Sequence, residues 1–308
     1  MPIDGRRDGG RLEAGGTFFS PLLQPGVVFN SHLNLRGYSV KKKALCVGIN
    51  DYPIAGSDLR GCVNDATGWA ALLADHYDFT DVEVITDAKA TKKNILSGIE
   101  RLLAGARYGD VLVFTNSSHG SQVPDTSGDE ETYDEVLCPY DASDRVITDD
   151  ELRERFADPG RGVKLTVISD SCHSGTVTRA ALADNFPGLA TPDDRRVRFL
   201  NPALIRSTRL LADPIGAPPR RRVFSQATMK HVLLSGCLDS EYSYDALIEG
   251  AYHGAMTYHA LEAIRRARYR ITYEQLVARV NSLLVKAGYP QHPQLEGRNY
   301  AKKRQVFT

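Results

Sequence analysis

Val111-Leu112-Val113-Phe114-Thr115-Asn116-Ser117-Ser118-His119-Gly120 and Leu165-Thr166-Val167-Ile168-Ser169-Asp170-Ser171-Cys172-His173-Ser174-Gly175 decide the fold of this chain. Each is an apolar run of strand length that ends in small residues and a reactive side chain. Runs of this kind, bounded by a turn, read as parallel strands buried on both faces. In an open α/β sheet the crevice beyond the carboxyl ends of the strands is where ligands bind. If the two strands are neighbours, His119 and Cys172 stand side by side at that edge. A thiol within reach of an imidazole is the minimal kit for nucleophilic acyl transfer.

Around these two runs the pattern alternates. Ala44 to Ile49 reads as a strand and Asn64 to His76 as a helix with Ala66, Trp69, Ala70, Leu72 and Leu73 inward. Val82 to Ile85 is a second strand. Thr91 reads as the N-cap of a helix that runs to about Ala106, with Ile95, Leu96, Ile99, Leu102 and Leu103 inward. This β-α-β-α-β order predicts a parallel sheet with right-handed crossovers. Between the two decisive runs lie an acidic stretch, a hairpin-like piece at Glu135 to Cys138, and a short helix that starts at Thr148 or Asp149 and covers Asp150 to Phe156. Later come a strand at His231 to Ser235, helices over Gly254 to Arg266 and Tyr273 to Ala287, and a closing strand at Gln305 to Phe307. Residues 1–40 read as an irregular extension, and 180–226 as a Pro/Arg-rich insertion without periodicity.

The bulk numbers exclude more than they assign. The 308 residues carry 38 Lys plus Arg against 38 Asp plus Glu, so net charge argues for neither nucleic acid nor an anionic membrane. Five cysteines in a chain this long do not make a disulfide framework. The polar, Gly/Arg-rich start has no apolar segment of a secretory signal, and no run is long enough to span a membrane. A reducing, cytoplasmic setting is the expectation, and it keeps a catalytic thiol free.

Cys172 is the candidate nucleophile, with the Ser174-Gly175 turn leaving room for a substrate; the plain alternative is a structural Cys at a strand end. A free thiol has a pKa of about 8.5 and needs a nearby base or a lowered pKa to act as thiolate. His119 is the candidate proton carrier. His173 competes, but adjacent side chains leaving a strand point apart. A metal site from Cys172, His173 and His119 lacks any ligand spacing that supports it.

These motifs together resemble the metacaspases, in particular bacterial caspase-like proteins of that type. His119 precedes Cys172 by 53 residues, and a His roughly 50 residues upstream of the Cys is the caspase arrangement. Val47-Gly48-Ile49-Asn50-Asp51-Tyr52 is similar to the family's first strand and turn, and Leu59-Arg60-Gly61-Cys62-Val63-Asn64-Asp65-Ala66 to the opening of its first helix. Ser117-Ser118-His119-Gly120-Ser121-Gln122 resembles the histidine motif, with Ser118 where the family usually has Gly. Asp170-Ser171-Cys172-His173-Ser174-Gly175 resembles the cysteine motif. The similarity covers roughly Lys43 to Thr308.

The resemblance implies a caspase-like three-layer α/β/α sandwich with a mainly parallel central sheet, in one peptidase domain over 41–308. It implies a cysteine endopeptidase with Cys172 and His119 as catalytic dyad, and Gly120 and Cys172 backbone N–H groups as oxyanion donors. Its pocket for a basic P1 side chain maps onto Cys62, Asp65, Ser117 and Asp170. Two carboxylates suit an Arg guanidinium, so the expected substrates are proteins or peptides with Arg or Lys at P1. Asp65 has a second reading, as a first-turn acid on a helix dipole. The acidic stretch from Asp125 to Asp150 points to calcium, with Asp134, Asp149 and Asp150 as family-like ligands; a solvated loop explains it equally well, and Arg179 stands where the family has a further acid. The Arg-rich insertion invites self-processing, with Arg179, Arg196 and Arg222 as candidate cut sites. The alternative function is a caspase-like signalling or binding module whose site is idle or gated by a partner or small molecule.

Overall fold

A computed structural model describes Met1, 39–124, 133–172, 195–206, 229–238 and 241–308. The irregular extension expected at the N-terminus lies outside these residues, apart from its two ends. From the residues at Val40 onward the chain forms a single unit.

In chain order the elements are β1 (Lys42–Gly48), α1 (Cys62–Tyr77), β2 (Asp81–Thr86), α2 (Lys92–Leu103), β3 (Val111–Ser117), β4 (Gly120–Pro124), β5 (Tyr133–Leu137), β6 (Ile147–Thr148), α3 (Asp149–Phe156) and β7 (Lys164–Asp170). They continue as β8 (Arg196–Val197), β9 (His231–Ser235), β10 (Tyr244–Ile248), β11 (Ala251–Gly254), α4 (Ala255–Arg266), α5 (Tyr273–Lys286), β12 (Gln294–Glu296) and α6 (Asn299–Lys302). The central sheet runs β12-β9-β7-β3-β1-β2, parallel throughout except for the antiparallel edge strand β12.

Continuous apolar strands feed both faces because successive side chains alternate. In β1, Ala44 and Cys46 join one core with Trp69 and Leu73 of α1 and with Met256 and Ala260 of α4. Leu45 and Val47 join the other with Ile95 and Ile99 of α2 and Phe156 of α3. Sheet between two helical layers is the three-layer sandwich expected. Local caps fix where two of the helices begin. Thr91 accepts a hydrogen bond from the Asn94 N–H, and Thr148 with Glu151 makes a reciprocal capping box on α3.

One expectation changes. Gln305 to Phe307 is not a strand: Gln305 makes one isolated bridge to Thr272, and β12 closes the sheet. Phe307 instead packs edge-on against Trp69 and Tyr77, with ring centroids 6.0 and 5.1 Å away. The hairpin-like piece at Glu135 is β5, and its partner β4 follows directly on the His119 turn. The hairpin β10–β11 had no sequence signal, because its strands are short and mixed in polarity. No described helix is long and apolar enough to cross a membrane.

Candidate active site

β3 and β7 are neighbours, and their register pairs Ser117 with Asp170. His119 and Cys172 each follow two residues later, so both motifs leave the sheet at the same level. Gly120 sits so close to the Cys172 backbone that a Cβ there would collide with the Cys172 carbonyl. That close approach is what a residue without a side chain permits.

His119 is 5% exposed. Its Nε2 lies 2.7 Å from the Ser57 carbonyl oxygen. A carbonyl only accepts, so Nε2 carries the proton and Nδ1 is left with its lone pair. Nδ1 makes no hydrogen bond of full geometry among the described residues. Burial lowers the His119 pKa to about 4; the Ser57 and Arg198 carbonyls oppose that shift, and the charges of Arg198 and Arg196 add to it. The backbone N–H of His119 donates to the Tyr52 hydroxyl, 3.1 Å away, which ties the turn to the loop after β1. Ser118, in place of the usual Gly, is buried; its hydroxyl accepts from the Asn116 amide and donates to the His119 carbonyl.

Cys172 is fully buried, not on a solvent-facing turn. Its Sγ accepts from the Ser243 N–H at 2.7 Å and donates to the Ser243 carbonyl at 3.3 Å. Cys237 is a buried neighbour, and its side-chain hydrogen bond with Cys172, followed by burial, pushes its thiol pKa up. All five cysteines are free.

Part of the Arg-rich insertion, residues 195–206, runs across the site. β8 pairs antiparallel with β10, Val197 opposite Tyr244 and Arg196 opposite Asp245. The Arg198 N–H donates to the Ser243 carbonyl at 3.0 Å. The Arg198 carbonyl accepts from the N–H of Gly120 at 3.0 Å and of Cys172 at 3.3 Å, the two groups expected as oxyanion donors.

The Arg198 side chain, with 0% exposure, fills a pocket of acids. Nη2 lies 2.7 Å from Asp65 Oδ2 and 3.0 Å from Asp245 Oδ1. Nη1 lies 2.6 Å from Ser117 Oγ, 3.0 Å from the Asp170 carbonyl and 3.4 Å from Asp170 Oδ2. Cys62 shares this surrounding: burial raises its thiol pKa, and the Arg198 charge is the largest opposing influence. The four residues named from sequence therefore come together around one guanidinium. Each carboxylate is anchored elsewhere too. Asp65 accepts from Ser117 Oγ and from the Gly254 N–H. Asp170 accepts from Thr257 through both N–H and hydroxyl, and from the Ser243 hydroxyl. A Cβ on Gly254 would strike Asp170 and the guanidinium, so glycine keeps the pocket open.

Sequence reasoning missed Asp245, Ser243, the Ser57 carbonyl and Arg198 itself. Asp245 accepts from the Arg60 and Gly61 N–H groups, so α1's start and β10 are joined through it. Of the candidate cut sites, Arg179 and Arg222 lie outside the described residues. Arg196 faces away from the acids and reaches the Asp58 carbonyl at 2.6 Å.

The acids assigned to calcium are differently placed. Asp149 and Asp150, in the first turn of α3, form ion pairs with Arg153, the first at 2.5 Å. Asp134 is buried on β5, beside a cavity of about 570 Å³ that Lys92, Lys93 and Arg145 also line. Among the described residues no group of His, Cys, Asp or Glu is arranged to hold a metal ion. With four cations at hand, the described donor set does not fit calcium as it stands.

The family model for "Metacaspase, peptidase C14 domain" matches residues 42–181. Metacaspase-1 of Cryptococcus neoformans is 33% identical over 285 residues, covering 83% of this chain and 62% of that protein. Metacaspase-1 of Scheffersomyces stipitis is 31% identical, covering 83% and 70%. Among solved structures, a protein of Geobacter sulfurreducens aligns with a TM-score of 0.66 at 27% identity, over 87% of this chain and 98% of that one. Caspase-1 of Spodoptera frugiperda aligns with a TM-score of 0.52 at 12% identity, over 84% and 86%, a likeness of fold.

Proposed function

The chain belongs to the metacaspase family, and from that premise we propose that it is a cysteine endopeptidase that cuts after Arg, less readily after Lys, through Cys172 and His119, and that its own Arg198–Phe199 bond is one of its substrates. The observation that carries this reading is Arg198. Its carbonyl oxygen meets two convergent N–H donors beside the thiol, and its guanidinium meets three carboxylates. A peptide presented for acyl transfer is held in this way.

In this reading the Cys172 thiol loses its proton to Nδ1 of His119, the ring atom left unprotonated by the Ser57 contact. The thiolate adds to the Arg198 carbonyl carbon. Negative charge gathers on the carbonyl oxygen, where the Gly120 and Cys172 N–H groups already point, so the donors need no reorganisation. His119 returns the proton to the Phe199 amine as the C–N bond breaks. Arg198 is then a thioester on Cys172 and Phe199 a new N-terminus. Water hydrolyses the thioester and the thiol is restored.

The pocket chemistry supports a basic P1 residue. Asp65, Asp170 and Asp245 are 0–1% exposed. Three buried carboxylates without a cation carry a heavy desolvation cost. A guanidinium offers donors on both nitrogens, which a point-charge ammonium does not match.

The gated reading draws on the same residues. Arg198 occupies both N–H donors and the acidic pocket, so the cleft is closed to other substrates until the segment is cut or leaves. The described acids of the run from Asp125 to Asp150 offer calcium no fitting donor set. A cytoplasmic setting is supported by five free thiols.

The test is intact-mass analysis of wild type and Cys172→Ala. Fragments that meet at Arg198–Phe199, formed in wild type alone, support the proposal. A wild-type chain that stays whole and cuts no Arg peptide sinks it.

A further inference from the structure

From Arg195 to Leu200 only two side chains are buried, Arg198 at 0% and Leu200 at 2%. Phe199 between them is partly exposed. The segment changes its support at the Arg198–Phe199 peptide. Before it, the backbone lies along the edge of β10. After it, the backbone lies along β4: Phe199 bridges Gly120 in parallel, the Leu200 N–H donates to the Gly120 carbonyl at 2.8 Å, and Ser121 Oγ donates to the Leu200 carbonyl at 2.7 Å.

The opposite edge of β4 is occupied by β5, so this edge is where an added strand can dock. In strand addition, main-chain hydrogen bonds set the register and alternate side chains are read by pockets. Here the alternate residues are Arg198 and Leu200. Leu200 belongs to the apolar cluster that includes Tyr52, Val123, Leu137 and Cys138.

Residues before Arg198 are held less deeply. The Arg195 guanidinium stacks 4.3 Å above the Tyr289 ring and reaches the Gly288 carbonyl, and Arg196 reaches the Asp58 carbonyl. Both arginines are partly exposed, where such contacts are weak and screened. A leucine withdrawn from water contributes more than either.

We propose that this cleft reads a second residue beyond the cut: an aliphatic side chain at P2′, taken by the pocket that holds Leu200. The proposal rests on the protease reading of the same site and adds the primed side to it. Substrates are extended segments in which the residue two places after Arg is of leucine type. An Asp there brings an unpaired carboxylate into apolar surroundings, and a Gly leaves the pocket unfilled.

The experiment uses the full chain and three internally quenched peptides, Arg-Arg-Val-Arg-Phe-Xaa-Asn, with Leu, Gly or Asp as Xaa. A fourth peptide, Arg-Arg-Val-Arg with a C-terminal coumarin, has no primed residues and reports the protease reading alone. Expected is a kcat/KM for the Leu peptide roughly tenfold or more above the Gly peptide, and higher still above Asp, with the cut at the Arg-Phe bond in each by mass. If the coumarin peptide is cut and the three quenched peptides agree within about twofold, the P2′ proposal is overturned and the protease reading stands. If neither wild type nor Arg198→Ala cuts any of the peptides, both are overturned.

Discussion

Arg198 Nη2 and Asp65 Oδ2 lie 2.7 Å apart with neither side chain exposed, although 133 residues separate them in the chain. A residue from the insertion thus sits where the resemblance places a substrate's basic side chain. Removing one partner of a buried ion pair typically costs about 3–5 kcal/mol. In the gated reading the arginine rides on a short segment that leaves the cleft and lets water reach the acids. Arg198→Ala is therefore expected to stay whole at that bond and to give a higher initial rate than wild type on an Arg-coumarin peptide. A rate equal to that of wild type would show that the segment does not obstruct the cleft.

Catalysis is expected to stop in Cys172→Ala, with less than a few per cent of wild-type peptide turnover remaining. Cys172 is fully buried, so circular dichroism must accompany the assay to show that the fold persists. His119→Ala is expected to lose about 10²–10⁴-fold, the range of a positioned proton carrier. His173→Ala is expected to lose less, and a reversed ranking in purified variants would reassign the base.

P1 preference is expected to run Arg, then Lys, with Asp refused. Asp245→Ala is expected to weaken Arg cleavage mainly through KM, since it removes one of the two carboxylates that Nη2 touches. A positional peptide library that favours Asp or an apolar P1 residue would refute the pocket.

Stability is expected to fall with acid. Burial lowers His119 to about 4 and His231 to about 4, below the usual 6.5. The folded chain therefore binds fewer protons than the unfolded one between those values. The contribution of these two groups is full well above pH 6.5 and is lost as pH drops towards 4. Urea unfolding of Cys172→Ala at pH 7, 5.5 and 4.5 is expected to show this decline, and His231→Gln to reduce its slope. An unchanged midpoint across that range would contradict it.

Arg153 pairs with Asp149 and Asp150, so calcium, a chelator and Asp150→Ala are each expected to leave peptide turnover unmoved. A rate lowered by the chelator and equally by Asp150→Ala would reinstate a calcium site at these acids.

The sequence alone determined the parts that local chemistry controls. Apolar runs at Val111 and Leu165 are strands because only a sheet buried on both faces accommodates them. Thr91 and Thr148 start helices because their side chains satisfy N–H groups three residues on. The Ser117–Asp170 register then follows from two parallel strands, and with it the level at which His119 and Cys172 emerge. Tertiary structure alone decided what surrounds them. Ser57 reaches His119 through a main-chain carbonyl, a group every residue possesses, so no residue type marks it. Asp245 enters the pocket from a hairpin too short and mixed to show a period. Arg198 was one arginine among many in a stretch without pattern. Its choice over Arg196 came from strand pairing with β10 and from charge in a pocket assembled from four distant segments.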